Sequence, residues 1–335
     1  MEILEFKKRI VKSEKRIVKS VDAMKKDFSA IMLPLGTRAG VIPVKHAEAT
    51  AFLLKIIEED SEYQILFDAG SKRILNKEFI NPAKIIAVFL SHAHLDHTMY
   101  LGRFLRFLRR SGRKKPLYIY CHNNGWKSLK WWIRLFCCRI PEFVYHIPID
   151  LEIYNPYLKT HKKDCKTDLT QISKLKALKI GKHLIMNIRA APALHCVSSV
   201  AYRINIRGDR EHLDFVFSPD TSYNSMHLIP FAKNAMYWLL DSAFAKEIID
   251  ERYDRFLEHK RGGEIVCHSG PYYSGKLCQQ ANVGTYIMIH YIWNRYTEKF
   301  EDTENALTTR AKRTFDGNII VSFDLVLITL KLNIK

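Results

Sequence analysis

Three histidines and an aspartate fall within six residues in His92-Ala93-His94-Leu95-Asp96-His97. Left unpaired inside a protein, such groups are costly to bury. Borderline metals such as zinc take this mixture of nitrogen and oxygen ligands. On a tight turn, His92 and His94 can point one way while Asp96 and His97 point another. That arrangement offers half-shells to two metals rather than a full shell to one. The alternative is a histidine-rich surface loop that binds nothing. The second half of the chain returns to single residues of these types, each at the end of an apolar or turn segment. They are His195 after Ala193-Leu194, Asp220 after Phe215-Val216-Phe217, Asp241 after Trp238-Leu239-Leu240, His268 after Ile265-Val266-Cys267 and His290 after Ile287-Met288-Ile289. Singly, each reads as a buried side chain satisfied by its neighbours. Five of them beside the 92–97 loop are harder to dismiss.

The elements that must carry these residues are strands. Ile85-Ile86-Ala87-Val88-Phe89-Leu90 is too short for an independent helix, is rich in β-branched and bulky side chains, and runs straight into the loop. Residues 31–70 predict strand, loop, strand, turn, strand, with a glycine turn at Leu35-Gly36-Thr37-Arg38-Ala39-Gly40 and a hairpin turn at Glu58-Glu59-Asp60-Ser61. Asp68 ends the apolar strand Tyr63–Phe67. It either orients metal ligands from behind or caps the next helix. After the loop, Leu101, Phe104, Leu105 and Leu108 form one face of a helix. Residues 150–183 read as a polar, Lys-rich loop. Asn318 to Ile328 reads as a hairpin or a broken strand.

With 335 residues, 47% hydrophobic and five Trp, the chain can build a real core, which argues against disorder. A net charge of +18 favours polyanions or anionic substrates. Much of it is segregated. From Arg103 to Arg139 there are eleven Lys/Arg and no Asp or Glu, interleaved with eight aromatics. The charge reads as a polyanion footprint and the aromatics as core. Residues 1–30 predict a basic amphipathic helical extension carrying a one-heptad repeat, Lys8–Ser13 and Lys15–Ser20. It could dock on its own domain, bind a partner helix, or serve as a basic arm on nucleic acid or membrane. The seven Cys are odd in number and form no C-x-x-C, which predicts a reduced, cytoplasmic chain. The charged first thirty residues predict no signal peptide, and no apolar run is long enough for a transmembrane helix.

The loop resembles the signature of the metallo-β-lactamase superfamily, and the order of elements resembles its ribonuclease Z branch. Leu35-Gly36-Thr37 with Pro43 is similar to that branch's opening glycine turn, and Phe67-Asp68-Ala69-Gly70 to its Phe-Asp-Cys-Gly segment. Leu194-His195, Ser199 and Tyr202-Arg203-Ile204 resemble its third-motif block, and Ser218-Pro219-Asp220-Thr221 its Ser-Gly-Asp-Thr. His268-Ser269 and His290, with Lys276, Ala281 and Val283 between, resemble its block from His-Ser-Thr to Thr-His-Phe; Asn294-Arg295-Tyr296 resembles the Ser-Arg-Tyr that follows.

The resemblance implies an α/β fold: an αββα sandwich over residues 31–335, with residues 1–30 as an added extension. It implies two divalent ions, zinc or manganese. His92, His94 and His195 would hold one ion and Asp96, His97 and His290 the other, with Asp220 bridging. His268 falls where the branch has an acid for the leaving oxygen, and Asp241 where that acid's Glu partner is expected. Asp96, His268 and Asp241 are thus the implied catalytic residues. The implied activity is phosphodiester hydrolysis by a two-metal-activated water, as in an RNA endonuclease of tRNA processing, with a homodimer as the assembly.

Three departures bear on this. Asp241 is one methylene shorter than Glu. Tyr100 replaces a common Gly and is expected to narrow the mouth. Only Asn205 to Leu213 separates two strands where many relatives insert a long tRNA-gripping arm. Two rivals follow: a small-molecule hydrolase acting on a cyclic nucleotide or a lactone, and a catalytically weak nucleic-acid-binding subunit.

Overall fold

A computed structural model of the chain describes residues 27–40, 47–151, 170–195, 197–223, 225–243, 268–291 and 300–334. The first of two sheets holds β1 (Ser29–Gly36), β2 (Ala51–Glu58), β3 (Ser61–Phe67), β4 (Ile85–Phe89), β5 (Leu117–His122), β6 (Val144–Ile149) and β15 (Ile328–Leu330). Their order is β15-β1-β2-β3-β4-β5-β6. β3 to β6 run parallel. The second sheet holds β7 (Ser173–Lys174), β8 (Leu178–Lys179), β9 (Ile185–Ala193), β10 (Ser199–Arg207), β11 (Glu211–Ser218), β12 (Tyr237–Asp241), β13 (Thr285–Ile289), β14 (Asn318–Val321) and β16 (Asn333–Ile334). Here β11 to β14 are parallel, while β10 lies antiparallel between β9 and β11.

The two sheets face each other across Phe67, Phe89, Tyr202, Phe215 and Phe217, all fully buried. Because helices cover the other face of each sheet, strands such as β4 are apolar on both sides rather than alternating. On the first sheet lie α1 (Leu95–Thr98), α2 (Leu101–Arg110) and α3 (Asn123–Cys137). α2 buries Leu101, Phe104, Leu105 and Leu108, the face that the spacing predicts. On the second sheet lie α4 (Leu228–Ala232), α5 (Pro271–Gln280) and α6 (Phe300–Ala311). They enclose a third core around Trp238, Leu277 and Tyr286. The result is the four-layer αββα sandwich.

Two bonds tie the layers together at the base of the 92–97 loop. The Tyr202 hydroxyl, rising from β10, donates to the Leu90 carbonyl at 2.8 Å in the opposite sheet. Beside it, the Val200 N–H donates to the Ser91 carbonyl at 2.9 Å.

The structure refines three expectations. The stretch from Asn318 to Ile328 is a broken strand, not a hairpin: β14 pairs with β13 in one sheet and β15 with β1 in the other. Asp324 holds the crossing, accepting from the N–H groups of Thr37 (2.9 Å) and Glu48 (2.7 Å) and from the Arg73 guanidinium. Within 150–183, the short strands β7 and β8 pair with β9; residues 152–169 lie outside the described residues. The helical extension expected over 1–30 lies outside the described residues up to position 26. β1 already begins at Ser29, and Phe28 is buried in the inter-sheet core.

The short segment expected in place of a long arm is a tight hairpin. β10 and β11 pair from Tyr202↔Phe217 to Arg207↔His212, and the Gly208 N–H donates to the Glu211 carbonyl. Asp27 clamps this turn. Its carboxylate accepts from the N–H groups of Arg210 and Glu211, the latter at 2.9 Å, and from the Arg210 side chain. The Asp27 N–H in turn donates to the Glu211 carboxylate at 2.8 Å.

Candidate metal centre

The candidate ligands gather because the strands that carry them end on one rim. The 92–97 loop follows β4, His195 follows β9, Asp220 follows β11, Asp241 is the last residue of β12, and His290 follows β13. His268 enters just ahead of α5. All nine residues named from the sequence meet there.

Two groups of ligand atoms take up the seven expected ligands, and a third, overlapping group sets His268 with Asp220 and His290. In the first, His92 Nε2 lies 2.9 Å from His94 Nδ1, which lies 3.2 Å from His195 Nε2. Asp220 Oδ2 lies 3.5 Å from His92 Nε2 and 3.4 Å from His195 Nε2. In the second, His97 Nε2 and His290 Nε2 are 3.2 Å apart, and Asp96 Oδ2 lies 3.7 Å and 3.5 Å from them. Asp220 Oδ1 lies 3.0 Å from His97 Nε2 and 3.3 Å from His290 Nε2. Asp220 therefore gives one oxygen to each group, the arrangement a bridging ligand requires.

The donor set fits divalent ions. Ligand atoms about 2.0–2.1 Å from a tetrahedral zinc stand about 3.3 Å from one another, which is the spacing seen in both groups. Asp220 Oδ1 is buried and has no hydrogen-bond donor among the described residues. The far sides of the rings are held instead. Asp68 Oδ2 accepts from His97 Nδ1 at 2.7 Å, and Ser91 Oγ lies 3.0 Å from His92 Nδ1. Ser91 in turn bonds Asp68 through both its N–H and its hydroxyl. Such partners fix which ring nitrogen faces the ion. Asp68 thus orients His97 and does not cap a helix; the cap of the following 3₁₀ turn is Ser71.

The electrostatics agree. Burial pushes His92 and His94 down, toward the neutral form that ligates. Burial also disfavours charge on His97 and His290, yet the carboxylates outweigh it. Asp220, Asp96 and Asp68 raise His97 well above the usual range, and Asp220, Asp241 and Asp96 raise His290 to about 10. Burial would push the Asp220 carboxyl up, but His290, His97 and His92 hold it well below the usual range. The carboxylates call for positive charge, which protons or a divalent cation can supply.

His268 stands beside this centre. Its Nδ1 is 3.0 Å from Asp241 Oδ2 and its side chain is 29% exposed, so it reaches the opening. Burial lowers its pKa, but Asp241 and Asp220 more than offset this and raise it above the ordinary value. The shorter Asp241 still reaches its histidine directly. Its other oxygen accepts from the Ala243 N–H at 2.9 Å and approaches His290 Nδ1 at 3.5 Å. Tyr100, expected to narrow the mouth, packs against the helix layer with the Arg103 guanidinium 5.6 Å above its ring.

Three supports carry little sequence signal. The Gly40 N–H donates to Asp96 Oδ2 at 2.7 Å, Ser91 links two histidines through Asp68, and Tyr202 pins the loop from below. Gly40 stood in the expected glycine turn, Tyr202 in the third-motif block and Ser91 immediately before His92, but none of these bonds was read from the sequence. Gly70 is needed for space, because a Cβ there would lie 1.7 Å from the Asp96 carbonyl oxygen. Asp68 and His290 both adopt φ 56°, the left-handed region, at the strand ends where their side chains turn toward the centre. Pro43 and Asn294-Arg295-Tyr296, part of the motif resemblance, lie outside the described residues.

The fold has counterparts among known proteins. Residues 63–291 match the model of the β-lactamase superfamily domain. Ribonuclease Z of Latilactobacillus sakei is 38% identical over 88 residues, covering 26% of this chain and 28% of that protein. Ribonuclease Z of Methanococcus maripaludis is 30% identical over 171 residues, half of this chain and 45% of that protein. The matches thus span less than half the length of these relatives. The crystal structure of a long form RNase Z from yeast superposes with a TM-score of 0.62 at 13% identity, covering 92% of this chain and 42% of that one.

Proposed function

Because the chain belongs to the metallo-β-lactamase superfamily, in its ribonuclease Z-like branch, we propose that this metal-dependent hydrolase is a phosphodiesterase acting on RNA as an endonuclease. The observation that carries the reading is the division of Asp220 between two ligand groups, with the His268–Asp241 pair beside them. In this reading His92, His94 and His195 hold one ion, Asp96, His97 and His290 the other, and Asp220 both. Divalent ions there, zinc or manganese, supply Lewis acidity toward a phosphoryl oxygen and bring a water within reach of deprotonation near neutral pH.

The chain's own residues do the rest. Asp68 and Ser91 keep the His97 and His92 rings aimed at the ions. His268 engages Asp241 through Nδ1, which leaves Nε2 to hand a proton to the departing oxygen. Asp241 keeps that ring in register and stabilises its imidazolium. This direct contact also argues against a subunit that has lost its chemistry.

The tight β10–β11 hairpin favours a second reading, hydrolysis of a small phosphodiester such as a cyclic nucleotide. The deciding experiment assays RNA, cyclic nucleotides and lactones in parallel with added zinc or manganese. Cleavage of RNA is expected. Turnover confined to a cyclic nucleotide or a lactone overturns the RNA reading, and RNA binding with no turnover of any substrate makes the chain a binding subunit.

A further inference from the structure

α3 carries more than its fold requires. Its inner stripe, Gly125, Trp126, Leu129, Ile133 and Cys137, is buried against the first sheet. The opposite face should then be polar. Instead Trp131 and Leu135, one turn apart, are 64% and 56% exposed. Lys127, Lys130 and Arg134 surround them, all exposed. Among the described residues, none of these three cations has a carboxylate within ion-pair distance. α2 extends the positive field. It packs against α3 where Gly102 meets the Phe136 ring, and the exposed Arg103 guanidinium sits 5.3 Å over that ring.

The N-terminal end of α3 lies beside the 92–97 loop, through the helix's inner stripe. A Cβ on Gly125 would lie 3.8 Å from the Ala93 side chain, inside the 92–97 loop. At 1.5 Å per residue, Trp131 and Leu135 stand about 9 and 15 Å further along the helix axis.

Resting on the RNA reading above, we propose that the outer face of α3 is the docking surface for a single-stranded stretch of an RNA substrate whose scissile phosphate lies at the metal centre. Trp131 stacks a base, and Lys127, Lys130 and Arg134 meet the flanking phosphates. An exposed indole beside unpaired cations is what a single strand needs, since every base has a face to stack and every link a charge to neutralise. A second copy of the chain is disfavoured as occupant, because two such faces would bring like charges together. A duplex is disfavoured too, because its bases are already stacked.

The test uses the full chain loaded with metal. KM and kcat are measured for a dinucleotide, a single-stranded decamer and bis(4-nitrophenyl) phosphate. Trp131→Ala is expected to raise KM for the decamer about tenfold, with little change in its kcat and none in the preference among small substrates. Charge reversal at Lys127, Lys130 and Arg134 is expected to flatten the log–log salt dependence of decamer binding by about 0.7 for each phosphate left without its cation. Unchanged decamer KM and salt slope in both variants overturn the docking surface, while the RNA reading survives if the decamer is still cut. Failure of wild type to cut any RNA while it turns over bis(4-nitrophenyl) phosphate removes the RNA reading itself. If the variants instead lose binding to phosphatidylserine vesicles, or convert a dimer to a monomer, with decamer KM intact, the face belongs to a membrane or to a second copy and the proposal fails.

Discussion

Asp220 is the residue through which the two ligand groups communicate, since each of its oxygens serves a different set of imidazoles. Elemental analysis of gently purified protein is expected to find two divalent ions per chain. Asp220→Ala should deplete both and abolish most of the activity; retention of one ion at full occupancy would show that the groups are independent. His268 answers to a different measurement. Its proposed role is proton delivery, worth roughly 10²–10⁴-fold in rate. His268→Ala should therefore keep both ions, lose that factor on RNA or an alkyl phosphodiester, and lose far less on bis(4-nitrophenyl) phosphate, whose leaving group departs unassisted. Equal losses on the two substrates would leave His268 a binding or structural residue.

At the scale of elements, the centre depends on close crossings between β3, the 92–97 loop and β10. Gly70 permits the tightest of them. The Ala69 N–H donates to the His97 carbonyl at 2.6 Å, and any Cβ at position 70 collides with Asp96 backbone. Gly70→Ala must push the loop aside, so lower thermal stability and lower metal content are expected together. A variant that melts earlier but binds metal normally would place the strain elsewhere.

These crossings also explain what the sequence could and could not reveal. The 92–97 loop was legible because its ligands are neighbours in sequence, and α2 because its buried residues repeat with the helical period. Asp68 stayed ambiguous, since a carboxylate after a strand suits an orienting bond and a cap equally. The Gly40 bond to Asp96 was invisible: a backbone N–H carries no residue type, and the partners lie 56 residues apart. The run from Asn318 to Ile328 stayed open between a hairpin and a broken strand because apolar content continues through it. Its division between two sheets is decided by Asp324, whose partners Thr37, Glu48 and Arg73 are remote in sequence.

At the scale of the whole molecule, charge is distributed in two places. One is the helix layer beside the centre; the other is the segment before Asp27, with nine Lys/Arg against four Asp/Glu in residues 1–26. A truncation that tests this segment should stop at residue 26, because Phe28 belongs to the core. Removing residues 1–26 is expected to weaken RNA binding and flatten its salt dependence, by about 0.7 in the log–log slope for each phosphate the segment neutralises. Affinity and slope both unchanged would assign the segment to packing or to a protein partner.

The Asp27 clamp gives that segment a fixed point of departure. The clamp holds the turn at the far end of β10, whereas the near end of β10 touches Ser91 at the loop. Nine strand residues separate the two ends, roughly 26 Å at 3.3 Å per residue. If the segment before Asp27 binds RNA, as its charge suggests, the strand sets the distance between that contact and the metal centre. A cyclic nucleotide or a dinucleotide at the centre is too short to span it, whereas the longer RNA of the proposed function could meet both ends at once. Size selection would then be built into the length of one strand, without any inserted arm.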